Sequence, residues 1–349
     1  MTLYLNRLVR LVLLLSVMVG LVACKPNPQD DIALFQPFIT ENVNKKSADP
    51  YISSTVKPGD KMYEILVNIQ HGDTKSAYEK LMILVDKNDY EAQFWVAKMI
   101  YQASVKSIPR AINLYELSAN QGNPYAYYEL SPLGKGCLAY FGKKTCTEDN
   151  FTKAIELFKR LAKQGDLRAQ YFLLKQQQLD QSKETRAQYI QEVIRFSQAH
   201  YYQPLMDYVN TILVRPQGKD KYEAKTPEQY ELAINLLTIA SNNNYIPALK
   251  RRLEVDVDEE KFNQLMEQLT RLGSTFEIYE NYFNSLDEYE RYYNSTLFKR
   301  LTGDNKLSSS YKATDKEESI VSEKIEKIIS YMTPMVYIDG FTSRDDWVD

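Results

Sequence analysis

Residues 111–123, Ala111-Ile112-Asn113-Leu114-Tyr115-Glu116-Leu117-Ser118-Ala119-Asn120-Gln121-Gly122-Asn123, share one pattern with residues 154–166, Ala154-Ile155-Glu156-Leu157-Phe158-Lys159-Arg160-Leu161-Ala162-Lys163-Gln164-Gly165-Asp166. In both, apolar residues fall at helical spacing, and a glycine stands where a helix closes on a left-handed residue. The frame recurs along the chain. Ala77, Ala111, Ala154 and Ala233 are each followed eleven residues later by Asn88, Gly122, Gly165 and Asn244. Fifteen residues after each alanine stands another, Ala92, Ala126, Ala169 and Ala248, small enough to let two helix backbones approach. Weaker copies run from Tyr189 through His200 to Pro204 and from Phe262 to Gly273, so six starts lie 34, 43, 35, 44 and 29 residues apart. Periods of this length mean stacked helix pairs, because one pair cannot bury its apolar face alone. The expected fold is all-α: a right-handed α-solenoid over residues 60–273, closed by a helical C-terminal cap region over 274–349.

Asn120-Gln121-Gly122-Asn123 and Lys163-Gln164-Gly165-Asp166 resemble the Sel-one-like repeat, a relative of the tetratricopeptide repeat whose alanine-rich helix ends in Gln-Gly-Asn. The likeness is good over 105–177 and fair over 73–104 and 227–253, with Leu130-Ser131 and Val96-Ala97 standing where the family has a Leu-Gly pair. An array of this kind offers an extended surface for protein capture. Its groove is expected to expose Gln93, Tyr127, Gln170 and Tyr208 or their near neighbours. Two long connections, Gly134 to Asn150 and Arg215 to Pro227, sit two repeats apart and are expected to project from one edge. The first holds Cys137 and Cys146. An oxidising compartment would link them, and so short a loop removes roughly 2.5–3 kcal/mol of unfolded-state entropy.

Beyond residue 273 the repeat fades. Tyr279, Tyr282, Phe283, Tyr289, Tyr292 and Tyr293 crowd one helical stretch, residues 304–314 read as a polar loop, and Thr314-Asp315-Lys316-Glu317 has capping-box form before a helix reaching about Met332. The tail through Trp347 reads as irregular. With 27 tyrosines in the chain, such clusters are too dense to point wholly inward. Tyrosine gives large contact area at low entropic cost, which makes Tyr279, Tyr282 and Tyr289 further candidate partner contacts.

The N-terminus supplies an address. Arg7 and Arg10 precede an apolar run from Leu11 to Val22, too short to span a bilayer, and then Leu21-Val22-Ala23-Cys24. Residues 1–23 read as a signal peptide, and the tetrapeptide resembles the lipobox of bacterial lipoproteins. That resemblance implies cleavage before Cys24 and acylation of its thiol. In Gram-negative lipoproteins an Asp after the cysteine favours the inner membrane. Lys25 stands there instead, which implies the inner leaflet of the outer membrane, facing the periplasm. Residues 24–59, rich in Pro, Asn and Lys, read as a membrane tether with little regular structure. Loss of the leader removes two arginines from 43 basic residues against 46 acidic, leaving 41 against 46, a net charge of −5. That balance speaks against nucleic acid as a partner.

No catalytic constellation is specified. His71 and His200 are the only histidines and neither has a cysteine nearby, so neither a zinc site nor a Ser-His-Asp triad is specified. Gly72-Asp73-Thr74-Lys75-Ser76 lacks the glycine a phosphate loop places before its lysine. Asp256, Asp258, Glu259 and Glu260 lack calcium-loop spacing and suit a helix N-terminus instead. Neither a metal nor a cofactor is expected, and the partner is expected to be a protein. Some Sel-one-like lipoproteins are periplasmic antidotes to toxins delivered by type VI secretion, phospholipases among them, so the resemblance implies a secreted effector as one partner. An envelope protein, held in a scaffold for wall or membrane assembly, is the other. Replacing Cys24 by Ser should abolish acylation and leave uncleaved precursor or soluble protein; processed C24S in the detergent phase after phase partition would disprove the anchor.

Overall fold

In the computed structural model, which describes residues 27–218, 221–255 and 258–348, six repeat steps end alike. Asn88 (φ 60°), Gly122 (91°), Gly165 (95°), His200 (59°), Asn244 (61°) and Gly273 (82°) all occupy the left-handed region. A left-handed residue satisfies the last carbonyls of one helix and turns the chain back at once. At three steps the next residue then caps the following helix. Asp89 Oδ1 accepts from Ala92 N at 3.0 Å, Asn123 Oδ1 from Tyr125 N at 3.1 Å, and Asp166 Oδ1 from Ala169 N at 2.9 Å. The Gly-Asn and Gly-Asp pairs of the sequence are thus a helix stop and a helix start in two residues.

Helices α1 (Pro28–Asn42) and α2 (Tyr63–Gln70) precede six pairs. These are α3 (Thr74–Val85) with α4 (Tyr90–Ile100), α5 (Ile108–Asn120) with α6 (Pro124–Glu129), and α7 (Glu148–Lys163) with α8 (Leu167–Gln176). They continue as α9 (Lys183–Gln198) with α10 (Gln203–Ile212), α11 (Pro227–Asn242) with α12 (Ile246–Leu253), and α13 (Glu259–Arg271) with α14 (Phe276–Asn284). All eight repeat alanines are fully buried, as close helix packing requires. The array curls until its ends meet, with His71 Nε2 lying 2.7 Å from the carbonyl oxygen of Gly273. The second helices, α4 to α12, therefore line an inner face and the first helices an outer one. The described residues hold no strand, only the bridge Val214–Glu223.

Three expectations are corrected. The segment expected to be an unstructured tether contains α1, which packs on α9 and α11. Phe35, Phe38 and Ile39 form its buried stripe, Asn27 caps it, and Pro28 stands in its first turn, where a missing N–H costs nothing. Its composition suggested a coil, but burial of the Phe35, Phe38 and Ile39 stripe against α9 and α11 outweighs it, even with Pro37 inside the helix. The repeat also outlasts residue 273, since α14 completes a sixth pair. The cap is confined to α15 (Glu288–Thr302) and α16 (Asp315–Tyr331), with Thr314 and Glu317 forming the expected capping box. Finally, the tail is irregular in its backbone yet lies at the centre of the molecule, along the inner face. Both long connections run from an inner helix to an outer one, α6 to α7 and α10 to α11, and Cys137 is bonded to Cys146 with their Cα atoms 5.6 Å apart. Cys24 and Lys25 lie outside the described residues.

Asp31 anchors α1. Its carboxylate, fully buried, accepts from Arg186 Nε and NH2, the latter at 2.7 Å, and from Tyr208 Oη at 2.9 Å. Replacing it by Ala strands a guanidinium and a phenol in the interior. D31A should lower stability by about 3–5 kcal/mol in a urea titration followed by far-UV circular dichroism; a shift within about 0.5 kcal/mol would show that α1 contributes nothing to the fold.

Candidate functional site: the inner groove and its resident segment

Residues 333–339 run through the inner groove as an extended chain, and the segment then turns at 340–342 and ends in a short 3-10 helix, Arg344–Asp346. Thr333 N donates to Arg271 O at 2.8 Å and Met335 N to Leu272 O at 3.0 Å, which joins the segment to the end of α13. Gln70 then treats it as a neighbouring strand would: its Nε2 donates to Met335 O at 3.0 Å and its Oε1 accepts from Tyr337 N at 2.8 Å. Thr55 donates from its backbone to Val336 O and from its hydroxyl to Ile338 O, both at 2.8 Å. Tyr63 Oη donates to Pro334 O at 2.8 Å. These bonds read backbone, not sequence, the way a sheet edge holds an added strand.

Side chains alternate as an extended backbone demands. Met335, Val336 and Ile338 are fully buried, Met335 with α10–α13 and the other two with α2–α6. Phe341 stacks on Phe172 with ring centroids 5.0 Å apart and planes 4° from parallel, and lies 4.7 Å from the ring of Tyr125. Trp347 reaches Trp95, centroid to centroid 5.6 Å. The segment divides the groove. A cavity of about 560 Å³ beside it is lined by Ile338 and Gly340, and one of about 520 Å³ on the other side by Tyr337, Asp339 and Phe341.

One buried ion pair grips the middle of the segment. Lys98 on α4 lies 3.6 Å from Glu129 on α6, both nearly sealed from solvent, and Lys98 Nζ also donates to Gly340 O. Burial pulls the pKa of Lys98 below the usual lysine value, with the carboxylates of Glu129 and Asp339 opposing that pull. An ammonium held at such cost needs every acceptor it has, and one of them belongs to the tail.

The residues expected to line the groove do not form a surface. Gln93 is buried, its Nε2 donating to Asn88 Oδ1 at 2.9 Å and its Oε1 accepting from Gln121 at 2.9 Å, so it ties the first pair to the second. Tyr208 is buried against Asp31. Gln170 is half-buried between Ala162 O and Arg195. Tyr127 is half-buried beneath Lys153, whose Nζ lies 5.7 Å from the ring centre. Groove residues on such short helices are used by packing between pairs, and the tail takes what remains. Tyr282 on α14 donates to Ser308 O and Tyr289 on α15 packs on Tyr311 at 5.5 Å, so both serve the fold. Tyr279 stays exposed beside Phe283, at 4.7 Å between centroids. The tail's own signal was present in the sequence: four consecutive apolar residues, Met335 to Ile338, suit a buried strand better than a loose end. Among the described residues no group of three or more His, Cys, Asp or Glu side chains is placed to hold a metal.

The architecture is an α-solenoid. No protein-family model matches this sequence, and no curated protein matches it. Among solved structures it is similar to a protective antigen present in uropathogenic Escherichia coli strains and displaying an SLR (Sel-one-like repeat) fold. That similarity has 16% identity, covers 75% of this chain and 57% of the other, and has a TM-score of 0.32. The chain thus spans 57% of the length of that antigen. The repeat is established here by the six left-handed steps and the helix pairs they separate.

Gly340 passes so close to Tyr125 that a Cβ would collide with the ring. Gly340→Ala should therefore loosen the segment, costing about 1–3 kcal/mol and speeding amide exchange over residues 335–341 in hydrogen–deuterium exchange. Unchanged protection there would show that the groove does not hold the segment.

Proposed function

We propose that this chain is a periplasmic, lipid-anchored capture protein that binds a secreted effector, of the phospholipase-like kind delivered by type VI secretion, and neutralises it without catalysis. The observation that carries a binding role is the groove itself: the inner face of the solenoid accommodates an extended polypeptide through its backbone. The resident tail, however, leaves no open channel for a partner to thread. The partner is assigned instead to surfaces the tail leaves bare. On α14 and the turn that follows it, Phe283 is 56% exposed and Leu286 95% exposed, with Tyr279 beside Phe283. On the two connections, Leu133, Tyr140 and Val214 are exposed as well. Large apolar side chains standing free on a rigid frame are what a tight interface uses as anchors.

The periplasmic address is supported by the basic and apolar leader that ends at Cys24. The antidote role is supported by that address together with the Sel-one-like pattern of the sequence, and by a surface whose rigidity favours slow dissociation. Phe283→Glu should leave circular dichroism unchanged and weaken effector capture by about 10–100-fold. Deleting the gene should sensitise cells to sisters with an active secretion system, and periplasmic wild-type protein, but not F283E, should restore them. Altered cell shape or a leaking envelope in monoculture, without any attacker, would instead assign the chain to an envelope scaffold.

A further inference from the structure

A cavity of about 450 Å³ opens between α11, α12, α13 and the residues after α1. Four cations line it, Lys46, Arg252, Lys261 and Arg271. Among the described residues no carboxylate forms an ion pair with any of them; Glu267 is the one acid in the lining, and Asp258 and Glu260 act on Lys261 only at longer range. Arg252 is the telling residue. It is only 6% exposed, and among the described residues its Nε has no hydrogen-bond partner. An arginine cannot escape by losing its proton, so a buried guanidinium without an acid is a donor waiting for an acceptor.

The rest of the cavity is prepared for an anion. Asn244, the left-handed residue that closes the fifth step, accepts from Arg271 NH2 at 3.2 Å and Gln268 Nε2 at 3.0 Å, which aims both side chains. Its Nδ2 is anchored on Asp49 O at 3.0 Å. A glycine, as at the third step, would hold neither. Burial first, then the positive charges of Arg252 and Lys46, press the pKa of Lys261 down, which places three cations within electrostatic reach of one another. The amides of Asn242, Gln264 and Gln268 donate to Val43 O, Glu260 and Ser241 O respectively, which leaves their carbonyl oxygens as neutral acceptors around the charged floor.

We propose that this cavity binds a phosphomonoester carried on a small polar body, such as a hexose phosphate. A phosphomonoester carries close to two negative charges near neutral pH and presents three acceptor oxygens, the counterpart of a guanidinium flanked by a second arginine and a lysine. The volume exceeds what one phosphoryl group fills and lies in the range of small-molecule sites. The flanking amides suit hydroxyl groups. The same chemistry is found on free sugar phosphates and on the phosphate of a phosphatidate headgroup.

Isothermal titration of the purified full chain with inorganic phosphate, glucose 6-phosphate, glucose and a short-chain monomeric phosphatidate separates these. The expected result is binding of glucose 6-phosphate, weaker binding of inorganic phosphate and none of glucose. Binding of the phosphatidate but not of glucose 6-phosphate assigns the same site to a lipid-borne phosphate. In either case Arg252→Gln should weaken binding at least tenfold and Lys261→Gln severalfold. Arg252→Gln should also leave the urea midpoint unchanged or raised, because it removes a buried unpaired charge, and added phosphate ester should raise the midpoint of the wild type alone. No binding of any phosphate probe, or affinity that survives both K261Q and R252Q, overturns the proposal.

Discussion

The backbone of residues 333–341, held in the inner groove, is the constraint on which the rest of this molecule depends. A solenoid ordinarily touches only along its length, each pair contacting its neighbours. Here one extended segment reaches separate apolar clusters: Met335 belongs with α10–α13, Val336 and Ile338 with α2–α6, and Phe341 with α6–α8. The seam between the third and fourth pairs is thin, its small cluster built on Tyr171, Leu174 and Phe196. Without a strap across that seam the two halves of the array would be free to flex. The contact between His71 and Gly273 depends on the same closure, since those residues stand 202 apart in the chain.

Helix α1 makes the complementary tie on the outside. It lies across α9 and α11, and the chain after it is fastened to the end of α11, with Ser47 N donating to Asn242 O at 2.9 Å and Ser53 Oγ to Asn243 O at 2.7 Å. Thr55 then meets the tail. Residues 47–55 and 333–338, remote in sequence, are thus bonded to each other and to opposite faces of the array. Local repeats have become a body with long-range contacts, for which folding cannot simply propagate from one pair to the next.

This closure changes what the surface can do. A tetratricopeptide-like groove commonly suggests an open channel for a partner's peptide. In this protein the channel's hydrogen-bonding capacity is spent on the chain itself, through Gln70, Thr55 and Lys98. Recognition is left to the rim, the connections and the outer side of α14, where exposed apolar side chains are carried by elements that packing holds in place. Rigid anchors lose little entropy on binding, which suits a partner that must be held for a long time.

The sequence by itself determined the repeat: the alanines, the left-handed stops at Asn88, Gly122, Gly165, His200, Asn244 and Gly273, the capping box at Thr314, and the approximate place of each pair. These are local requirements, met within about fifteen residues, so spacing alone displays them. The tertiary structure decided where Gln93 and Tyr208 point, whether the segment before residue 59 is tether or helix, and where the tail goes. Those outcomes turn on contacts between residues far apart: Asp31 with Arg186, Gln70 with Tyr337, Phe341 with Phe172. A glutamine on an inner helix has the same local pattern whether it faces solvent or another amide. Which it does is decided by the segment that arrives opposite it, and neither periodicity nor composition records that arrival.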